Sequence, residues 1–389
     1  MQRLRKEVPP LVGVVLILAA LAAVQVLYWR GLLIEESQSL LPRGGGGGGA
    51  AQADQPTGLP DVIVETVAGL GDAGHRDGLP VEALFDGPAA VAAARDGALY
   101  VADSRNHAIR MISPTGRVST VAGRPGVSGY ADGVGVHARF SAPAGAARRP
   151  DGALLVADTG NHRLRRLGSD GIVSTYAGAA TPTDDLGREL GGHRDGPAAQ
   201  AQFRYPVGLA VDPSGSVYVA DAGNGCVRRI SPAGEVTTLP VKGDASLQSP
   251  TQVCLTSDGS LWVADTSGHG LWTGPKAGPL TAWPGDATGA GERFAPAGIV
   301  AVQGASGGES LYLADAAGGC LWRIDGDRLA LVAGGQQAEV PFQNGGGDVA
   351  RFDHPAGLTR GPAGTFYVAD FGNERIRRVI PPRAAKERD

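Results

Sequence analysis

Cysteine is scarce in this sequence, with three residues in 389, and the short motifs of common enzyme classes are missing. Cys226, Cys254 and Cys320 are too few for a disulfide framework, so we expect them to be small packed residues. The sequence contains no nucleophile elbow, phosphate loop, dinucleotide fingerprint or zinc motif. It therefore predicts no cofactor, no metal site and no catalytic residues.

An excess of positive charge is also missing. The chain has 35 Lys and Arg residues against 39 Asp and Glu residues, which gives a net charge of −4. Such a balance provides no global attraction to nucleic acid. Lysine occurs only at positions 6, 242, 276 and 386, so nearly all positive charge is arginine. We expect no nucleic-acid partner.

One long apolar run lies near the N-terminus. No residue from Val8 to Trp29 is charged, and at about 1.5 Å per helical residue this run is long enough to cross a bilayer core of roughly 30 Å. Basic residues precede it, which predicts that residues 1–7 are cytoplasmic. We expect a single transmembrane helix or signal anchor over 8–30, with the rest of the chain periplasmic or extracellular. The alternative is a signal peptide cleaved near Ala20-Leu-Ala22.

Residues 31–60 contain the glycine run 44–49 and predict a flexible linker.

Beyond the linker, one sequence motif recurs six times along the chain. The motif is a β-strand of the type Tyr-Val-Ala-Asp, and it ends at Asp103, Asp158, Asp221, Asp265, Asp315 and Asp370. Consecutive aspartates are 44 to 63 residues apart, and copies at such intervals indicate an array of one supersecondary unit. Residues 382–389 predict a disordered tail.

Each copy contains four short strand patterns separated by turn residues, as in Phe203 to Pro240. Four antiparallel strands form a propeller blade, and six blades close into a disc. The predicted fold is therefore all-β, a six-bladed β-propeller of four-stranded antiparallel blades over residues 61–381, preceded by one transmembrane helix.

The ends of the array predict how the ring closes. The last copy stops at Pro381-Pro382 without its fourth strand, whereas Val62–Gly69 matches the fourth strands Val118–Gly123 and Val173–Gly178. We expect the segment before the first full repeat to pair with the last blade. This pairing removes an open edge that would favour aggregation.

These residues resemble the NHL-repeat family of β-propellers. The motif that carries the resemblance is Val-Ala-Asp-Thr-Gly-Asn-His-Arg-Leu-Arg-Arg at 156–166, with close copies at 101–110 and 368–378. Copies four and five lack the loop asparagine. The resemblance covers about residues 62–380 and implies the fold more strongly than an activity. Members of the family include RNA binders, protein-interaction modules and a copper- and zinc-dependent amidating lyase.

The six strand-end aspartates have three interpretations. A ring of carboxylates could bind a cation. Each carboxylate could instead cap its own hairpin loop by accepting backbone N–H groups, which is the interpretation we favour. The third alternative is pairing with an arginine of the third strand, at 110, 165, 228 or 377. Because Trp272 and Trp322 fill that slot in copies four and five, the aspartate does not require the arginine, and we expect arginine stems that lie flat between blades rather than an RNA-binding patch.

A second module, Asp-Gly followed by Ala-x-Phe, precedes three first strands. It begins at Asp77, Asp132 and Asp195 and ends at Phe85, Phe140 and Phe203. We expect the Asp-Gly pairs to form turns. The alanine and phenylalanine side chains are expected to fill the crevices between blades.

Strand direction predicts which face is the functional one. In a four-stranded meander, the loops between the second and third strands emerge on the same side as the connections between blades. All seven histidines fall in or beside these segments, and rigid scaffolds commonly carry function on such loops. The predicted ligand-binding residues are Tyr205 and His354 at the channel mouth, and Arg76, His193, Arg194 and Asp195 on the same loop-rich face.

A metal site needs several converging ligands. His354 has no histidine at the equivalent position of another copy, so the three-histidine arrangement of a lyase is not supported. The preferred function is a membrane-tethered scaffold that binds a protein, peptide or glycan through its loop-rich face. The alternative is an extracytoplasmic lyase or lactonase with its site at the channel mouth.

Overall fold

In the computed structural model, the residues that can be described are 59, 61–285, 290, 294–304, 308–335 and 342–382. The predicted N-terminus and membrane segment lie outside them, as does the predicted linker apart from Leu59. Residues 383–389 of the predicted tail are also outside. Among the described residues, no helix is both long enough and apolar enough to cross a membrane.

Six antiparallel sheets form a closed ring. The innermost strand of each sheet contacts the innermost strands of the sheets before and after it, and the sixth contacts the first. The six-bladed, all-β architecture predicted from the repeats is therefore confirmed. Blades are numbered 1 to 6 in chain order, and the four strands of each run from the central channel outward.

The strands follow the predicted order of four short strands in each copy. Blade 1 contains β2 (Pro88–Ala93), β3 (Leu99–Asp103), β4 (Ala108–Ile112) and β5 (Val118–Ala122). Blade 2 contains β7 (Pro143–Arg148), β8 (Leu154–Asp158), β9 (Arg163–Leu167) and β10 (Ile172–Ala177). Blade 3 contains β12 (Pro206–Val211), β13 (Val217–Asp221), β14 (Cys226–Ile230) and β15 (Glu235–Thr238).

The second half of the ring has the same order. Blade 4 contains β16 (Pro250–Leu255), β17 (Ser260–Asp265), β18 (Gly270–Pro275) and β19 (Thr281–Ala282). Blade 5 contains β20 (Pro296–Gln303), β21 (Glu309–Asp315), β22 (Cys320–Asp325) and β23 (Arg328–Gly334). Blade 6 contains β25 (Pro355–Arg360), β26 (Phe366–Asp370), β27 (Arg375–Ile380) and β1 (Ile63–Ala68). Short 3-10 helices occupy Gly135–His137, Thr159–Asn161, Ala222–Asn224 and Pro362–Gly364.

Every innermost strand begins with proline. This strand is an edge strand facing the channel, so a residue without an N–H is tolerated at its start. Two residues later, Gly145 and Gly298 allow neighbouring innermost strands to approach closely. A Cβ atom at either position would collide with a carbonyl oxygen of the next blade, that of Val207 or Ala356. The innermost strands therefore pack most tightly near their beginnings.

The N-terminal end of the array closes the ring. Strand β1 pairs antiparallel with β27 of blade 6, and Val64 lies opposite Val379. Glu65 and Arg378, the next pair in this register, form an ion pair of 2.5 Å. The predicted closure of the last blade by the segment before the first repeat is confirmed.

The prediction of four strands in each blade is too simple. Three blades gain a two-residue fifth strand at the outer edge: β6 (Gly133–Val134), β11 (Gly196–Pro197) and β24 (Gly345–Gly346). In blade 1, a single bridge joins Gly78 to Val118 at the same place. In blades 2 and 3 the Asp-Gly module thus supplies a strand that covers the exposed outer edge, in addition to a change of direction, and the strand after Asn344 does the same in blade 6.

The core consists of one apolar cluster between each pair of neighbouring blades. Phe85, Phe140 and Phe203 are completely buried, each in the crevice before its own blade, which confirms the predicted packing role. The three cysteines are free and buried, as predicted. Burial raises the pKa of the Cys226 and Cys254 thiols to about 12.

Candidate functional site

Four blades contain a buried arginine that bridges two side-chain oxygens. In blade 2, Arg165 Nη1 donates to Asp158 Oδ2 at 2.7 Å, and its Nη2 donates to Asp132 Oδ1 at 2.6 Å. The Asp158 and Arg165 side chains are both fully buried, whereas Asp132 is half-exposed. We call this arrangement of an inner aspartate, an arginine and an outer side chain a ladder. It recurs as Asp103–Arg110–Asp77, Asp221–Arg228–Asp195 and Asp370–Arg377–Asn344.

This geometry corrects the expected roles of the ladder residues. The arginines lie against aromatic rings, as the flat-stem interpretation requires; Arg110 is 5.1 Å from the centre of the Phe85 ring. However, their guanidinium groups are also buried and ion-paired. The Asp-Gly aspartates are ladder members rather than simple turn formers. Asp77 Oδ2, for example, accepts the Thr120 N–H at 3.0 Å.

The inner aspartates combine the capping and pairing alternatives. Asp158 accepts the Ser141 N–H at 2.8 Å and the Asn161 side chain at 2.8 Å, in addition to Arg165. Burial raises the pKa of Asp158 to about 6, and the charge of Arg165 opposes that rise. Both oxygens of the Asp158 carboxylate thus accept hydrogen bonds from other groups of the protein.

Blades 4 and 5 hold their aspartates without arginine. Asp265 accepts backbone N–H groups from Gln248 at 2.8 Å, Ser249 at 2.7 Å and Gly268 at 3.3 Å. Asp315 accepts the N–H groups of Ala295 and Gly318 and the indole N–H of Trp322 at 3.3 Å. Additional backbone donors replace the guanidinium in these two blades.

A second repeated contact joins neighbouring blades on the loop-rich face. The loop residue before the third strand has a positive φ, and its side chain accepts an N–H from the start of the next blade. His107 Nδ1 accepts from Ala142 at 3.0 Å, and His162 Nδ1 accepts from Tyr205 at 3.0 Å. In blade 6 this residue is Glu374, whose Oε2 accepts from Gly87 at 2.6 Å. The contact at the closure of the ring therefore uses a carboxylate instead of an imidazole.

Glu374 lies within a group of charged side chains where blade 6 meets blade 1. Arg105 Nη1 is 3.5 Å from Glu374 Oε1 and 3.5 Å from Asp86 Oδ1. The Arg105 guanidinium also lies over the Phe371 ring. Burial raises the pKa of Glu374 to about 7, and the nearby charges of Asp86 and Asp103 add to the rise while Arg105 opposes it.

His354 and Asp353 complete this group, which we name the seam cluster (Asp86, Arg105, Asp353, His354 and Glu374). His354 Nδ1 and Asp353 Oδ1 are 2.5 Å apart, and this hydrogen bond raises the pKa of His354. Asp86, Arg105, Asp353 and His354 are each 30–39 % exposed, whereas Glu374 is only 8 % exposed. The Arg105 charge acts on both His354 and Glu374, so the four accessible groups and the buried carboxyl belong to the same seam.

Comparison with known proteins identifies the repeat. The sequence model described as the NHL repeat matches residues 85–110 and 203–230, which include strands of blades 1 and 3. The chain is a six-bladed β-propeller that contains NHL repeats. The same six-bladed ring contains four further copies of the unit.

Curated relatives share parts of the NHL propeller. Residues of this chain are 43% identical over 95 residues to the protein SUPPRESSOR OF QUENCHING 1, chloroplastic, of Arabidopsis thaliana, a match that covers 24% of this chain and 9% of the plant protein. They are 32% identical over 191 residues to mouse (Mus musculus) Teneurin-4, covering 46% and 6% of the two chains. The match thus spans less than a tenth of either relative.

The fold is also found in solved structures. An auxiliary nutrient binding protein from Bacteroides thetaiotaomicron superposes on the NHL propeller with a TM-score of 0.60 at 17% sequence identity. The alignment covers 83% of this chain and 77% of that protein. At this level of identity, the likeness concerns the fold alone.

The NHL propeller does not bring the six predicted ligand-binding residues into one site. Tyr205 is on blade 3 and His354 on blade 6, which are opposite blades of the ring. Tyr205 packs edge-on against His162 with ring centres 4.4 Å apart, whereas His354 belongs to the seam cluster. A ligand that contacts both would have to extend across the channel mouth.

The other four predicted residues lie on the outer part of blades 1 and 3. Arg76 Nε donates to the Glu82 carbonyl at 2.6 Å, and the guanidinium of Arg194 donates in the same way to Gln200. His193 Nε2 lies 3.0 Å from Thr238 Oγ1, and Asp195 belongs to the blade 3 ladder. All four are exposed but have partners within the protein. Their contact with a ligand stays a prediction.

Sequence reasoning did not find most of the seam cluster. Asp86 and Arg105 are separated from Glu374 by more than half of the chain, so only ring closure brings them together. One signal was available, since Glu374 stands where three other copies have His107, His162 and His269. Within the described residues, no three His, Cys, Asp or Glu side chains are grouped so that they could hold a metal ion.

Proposed function

We propose that this NHL propeller is a membrane-tethered, extracytoplasmic binding scaffold, and that its loop-rich face takes a protein or peptide through the seam cluster. The observation that carries the proposal is the group of accessible charged side chains beside the buried Glu374 carboxyl, where blade 6 meets blade 1. The ladders bury their arginines completely, whereas Arg105, Asp86 and Asp353 stay accessible at the inner edge of two blades. Acidic groups outnumber basic ones there by three to two.

A polypeptide suits this chemistry better than a glycan. Half-exposed carboxylates at Asp86 and Asp353 can pair with lysine or arginine side chains, and Arg105 can pair with an acidic side chain. Charge-assisted hydrogen bonds of this kind are about twice as strong as neutral ones. An auxiliary nutrient binding protein has the same fold, so a binding role requires no change of architecture.

Peptide selection tests the site. A random peptide library is selected against the full chain, and the affinity of enriched peptides is then measured by titration. We expect enriched peptides to carry basic residues, and the combined change of Asp86→Asn and Asp353→Asn to weaken their binding at least tenfold. The changes Ser214→Ala and Ala233→Ser, in turns of the opposite face, serve as controls with unchanged affinity. Enrichment without basic residues, or equal losses in the controls, would contradict the proposal.

The tether is proposed from the apolar run at 8–30 and is tested separately. We expect the full chain to fractionate with membranes, and a protease added outside the cytoplasm to digest its C-terminal domain. Release of soluble protein that begins after Ala22 would show that the segment is a cleaved signal peptide.

A further inference from the structure

The seam cluster contains two side chains that can change their charge near neutral pH. One is Glu374, a nearly buried carboxyl group, and the other is the His354 imidazole, which is hydrogen-bonded to Asp353. An imidazole titrates in this range even without a shift of its pKa. Burial raises the pKa of Glu374 to about 7 and brings its titration into the same range. The charge of the seam cluster therefore depends on pH.

Glu374 is connected directly to the exposed Asp86 carboxylate. Its Oε2 accepts the N–H of Gly87, the residue after Asp86, at 2.6 Å. Its Oε1 lies 3.5 Å from the Arg105 guanidinium, which lies at the same distance from Asp86. On the interior side, Asp103 accepts the Asp86 N–H at 2.8 Å. Burial raises the pKa of Asp103 to about 6, so its protonation would remove negative charge just as that of Glu374 does.

His354 has a similar environment on the blade 6 side of the seam. Its hydrogen bond to Asp353 raises the pKa of His354, and the charge of Asp370 adds to the rise, whereas burial and the Arg105 charge oppose it. Asp370 is buried and accepts the Asp353 N–H at 2.9 Å. The guanidinium of Arg375 is directed to a carbonyl oxygen outside the cluster, at 2.6 Å. Arg105 is therefore the cation that faces both titratable groups.

Titration changes the net charge of the seam cluster. With Glu374 ionised and His354 neutral, three carboxylates face one guanidinium and the net charge is −2. With Glu374 protonated and His354 cationic, two carboxylates balance two cations and the net charge is zero. The cluster attracts a cationic ligand in the first state, and this net attraction is absent in the second.

We propose that the seam cluster is a proton-coupled binding site, which holds basic side chains of a polypeptide above neutral pH and releases them as Glu374 and His354 take up protons. The coupling rests on the polypeptide site proposed above. A ligand cation beside Asp86 or Asp353 favours the ionised form of Glu374 and the neutral form of His354, so that protons and the ligand compete. Because such coupling is reciprocal, ligand binding releases protons.

A basic peptide without titratable side chains of its own in the neutral range tests the coupling. The probe is the peptide of highest affinity from the library selection, performed at about pH 8, with both ends blocked and without His, Asp or Glu residues. Lysine and arginine keep their charge between about pH 6 and about pH 8.5, so a change in affinity over this range belongs to the protein. We expect binding to the full chain to be about tenfold weaker at the lower pH, a coupling of ordinary size.

Calorimetry measures the protons directly. Titrations near neutral pH in two buffers of different ionisation enthalpy should show release of about one proton per bound peptide, since two half-protonated groups each lose part of a proton. Release of no proton would contradict the coupling.

Variants assign the protons to their side chains. Glu374→Gln and His354→Gln should each reduce the pH dependence of affinity, and the double variant should change affinity less than about threefold over the same range. His137→Gln is the matched control, because His137 is exposed in the connection before blade 2 and lies outside the seam cluster. Its pH dependence should equal that of the unchanged chain. Circular dichroism at both pH values verifies that each variant is folded.

Failure of the coupling and failure of the polypeptide site are distinguishable. Peptide affinity that does not change with pH, a double variant that keeps the full dependence, or equal effects of His137→Gln and His354→Gln would overturn the coupling and leave the polypeptide site intact. If no basic peptide binds at either pH, or if the combined change of Asp86→Asn and Asp353→Asn leaves affinity unchanged, the polypeptide site is wrong and the coupling fails with it.

Discussion

Blades 1, 2, 3 and 6 differ from blades 4 and 5 in how they anchor the same loop. The first group places a buried arginine against the strand-end aspartate, as Arg165 does for Asp158. The second group places Trp272 or Trp322 in the arginine slot and directs more backbone N–H groups to the aspartate. The comparison shows that the carboxylate and its loop are the constant requirement, whereas its partner can be a cation or a set of backbone dipoles.

The two solutions have different energetic consequences. A buried ion pair loses hydration on both sides, and removal of one partner leaves an uncompensated charge in the interior. Backbone N–H groups carry only partial charges, so their loss of an acceptor costs less. Blades of the first group are therefore more sensitive to substitution, although they are not necessarily more stable.

The largest expected effect is that of Asp158→Ala in blade 2. The change leaves the Arg165 guanidinium, which is completely buried, without its inner carboxylate. We expect the free energy of unfolding to fall by about 3–5 kcal/mol, the range found when one partner of a buried pair is removed. Chemical denaturation of the variant and the unchanged chain measures the difference.

Asp265→Ala in blade 4 is the matched change. It leaves three backbone N–H groups without an acceptor and no charge without a partner. We expect a smaller loss, on the order of 1–3 kcal/mol, in the same denaturation experiment. Equal losses for Asp158→Ala and Asp265→Ala would break the distinction between the two groups of blades.

The sequence predicted this architecture because each blade repeats the same local pattern. The Val-Ala-Asp strands, the innermost strands that begin with proline and the buried Phe140 are all encoded within one copy. Closure by β1 was also predictable, since a fourth strand was missing at one end and present at the other. These features depend on short-range sequence, which can be compared from copy to copy.

The ladders and the seam cluster were not predictable in the same way. Asp132 lies 33 residues before Arg165 and looks like a turn residue, because Asp-Gly is a common turn pair. Its role depends on the fifth strand, which is only two residues long and carries no hydrophobic pattern. The seam cluster joins the first and last blades, so it exists only when the ring is closed.

The side-chain contacts that join neighbouring blades also differ from blade to blade. Blades 1, 2 and 6 hold the next blade with a side-chain acceptor, whereas His269 of blade 4 contacts the Phe294 carbonyl oxygen at 2.7 Å. At Glu374 this contact is sensitive to pH. Because burial raises its pKa to about 7, the folded state binds a proton more tightly than the unfolded state does.

The free energy of unfolding should accordingly decrease as pH rises from about 4.5 to about 7, since the stabilisation is complete below the unfolded pKa and is lost through the folded one. Glu374→Gln keeps an oxygen for the Gly87 N–H but cannot titrate. We expect this variant to lose less stability across the window than the unchanged chain, by up to about 3 kcal/mol. Denaturation at a series of pH values measures the slope, and identical slopes would contradict the assigned role of Glu374.

The smallest expected effect concerns the outer member of the ladder. Blade 6 has Asn344 where blade 3 has Asp195, and Arg377 Nη2 still donates to the Asn344 oxygen at 3.0 Å. Although partial burial acts to raise the pKa of Asp195, hydrogen bonds from Arg228 and Thr238 lower it overall. The carboxylate is 47% exposed, so water screens much of this stabilisation.

Asp195→Asn should therefore cost less than about 1 kcal/mol, because the amide oxygen retains the contact with Arg228 and an exposed charge contributes little. Denaturation at neutral pH measures this cost. A loss as large as that of Asp158→Ala would show that the outer carboxylate, and not the inner one, provides most of the ladder's contribution to the free energy of unfolding. Since the variant is expected to stay folded, it also isolates the predicted contact of Asp195 with a ligand. A selected peptide that binds it as tightly as the unchanged chain would leave Asp195 with a structural role alone.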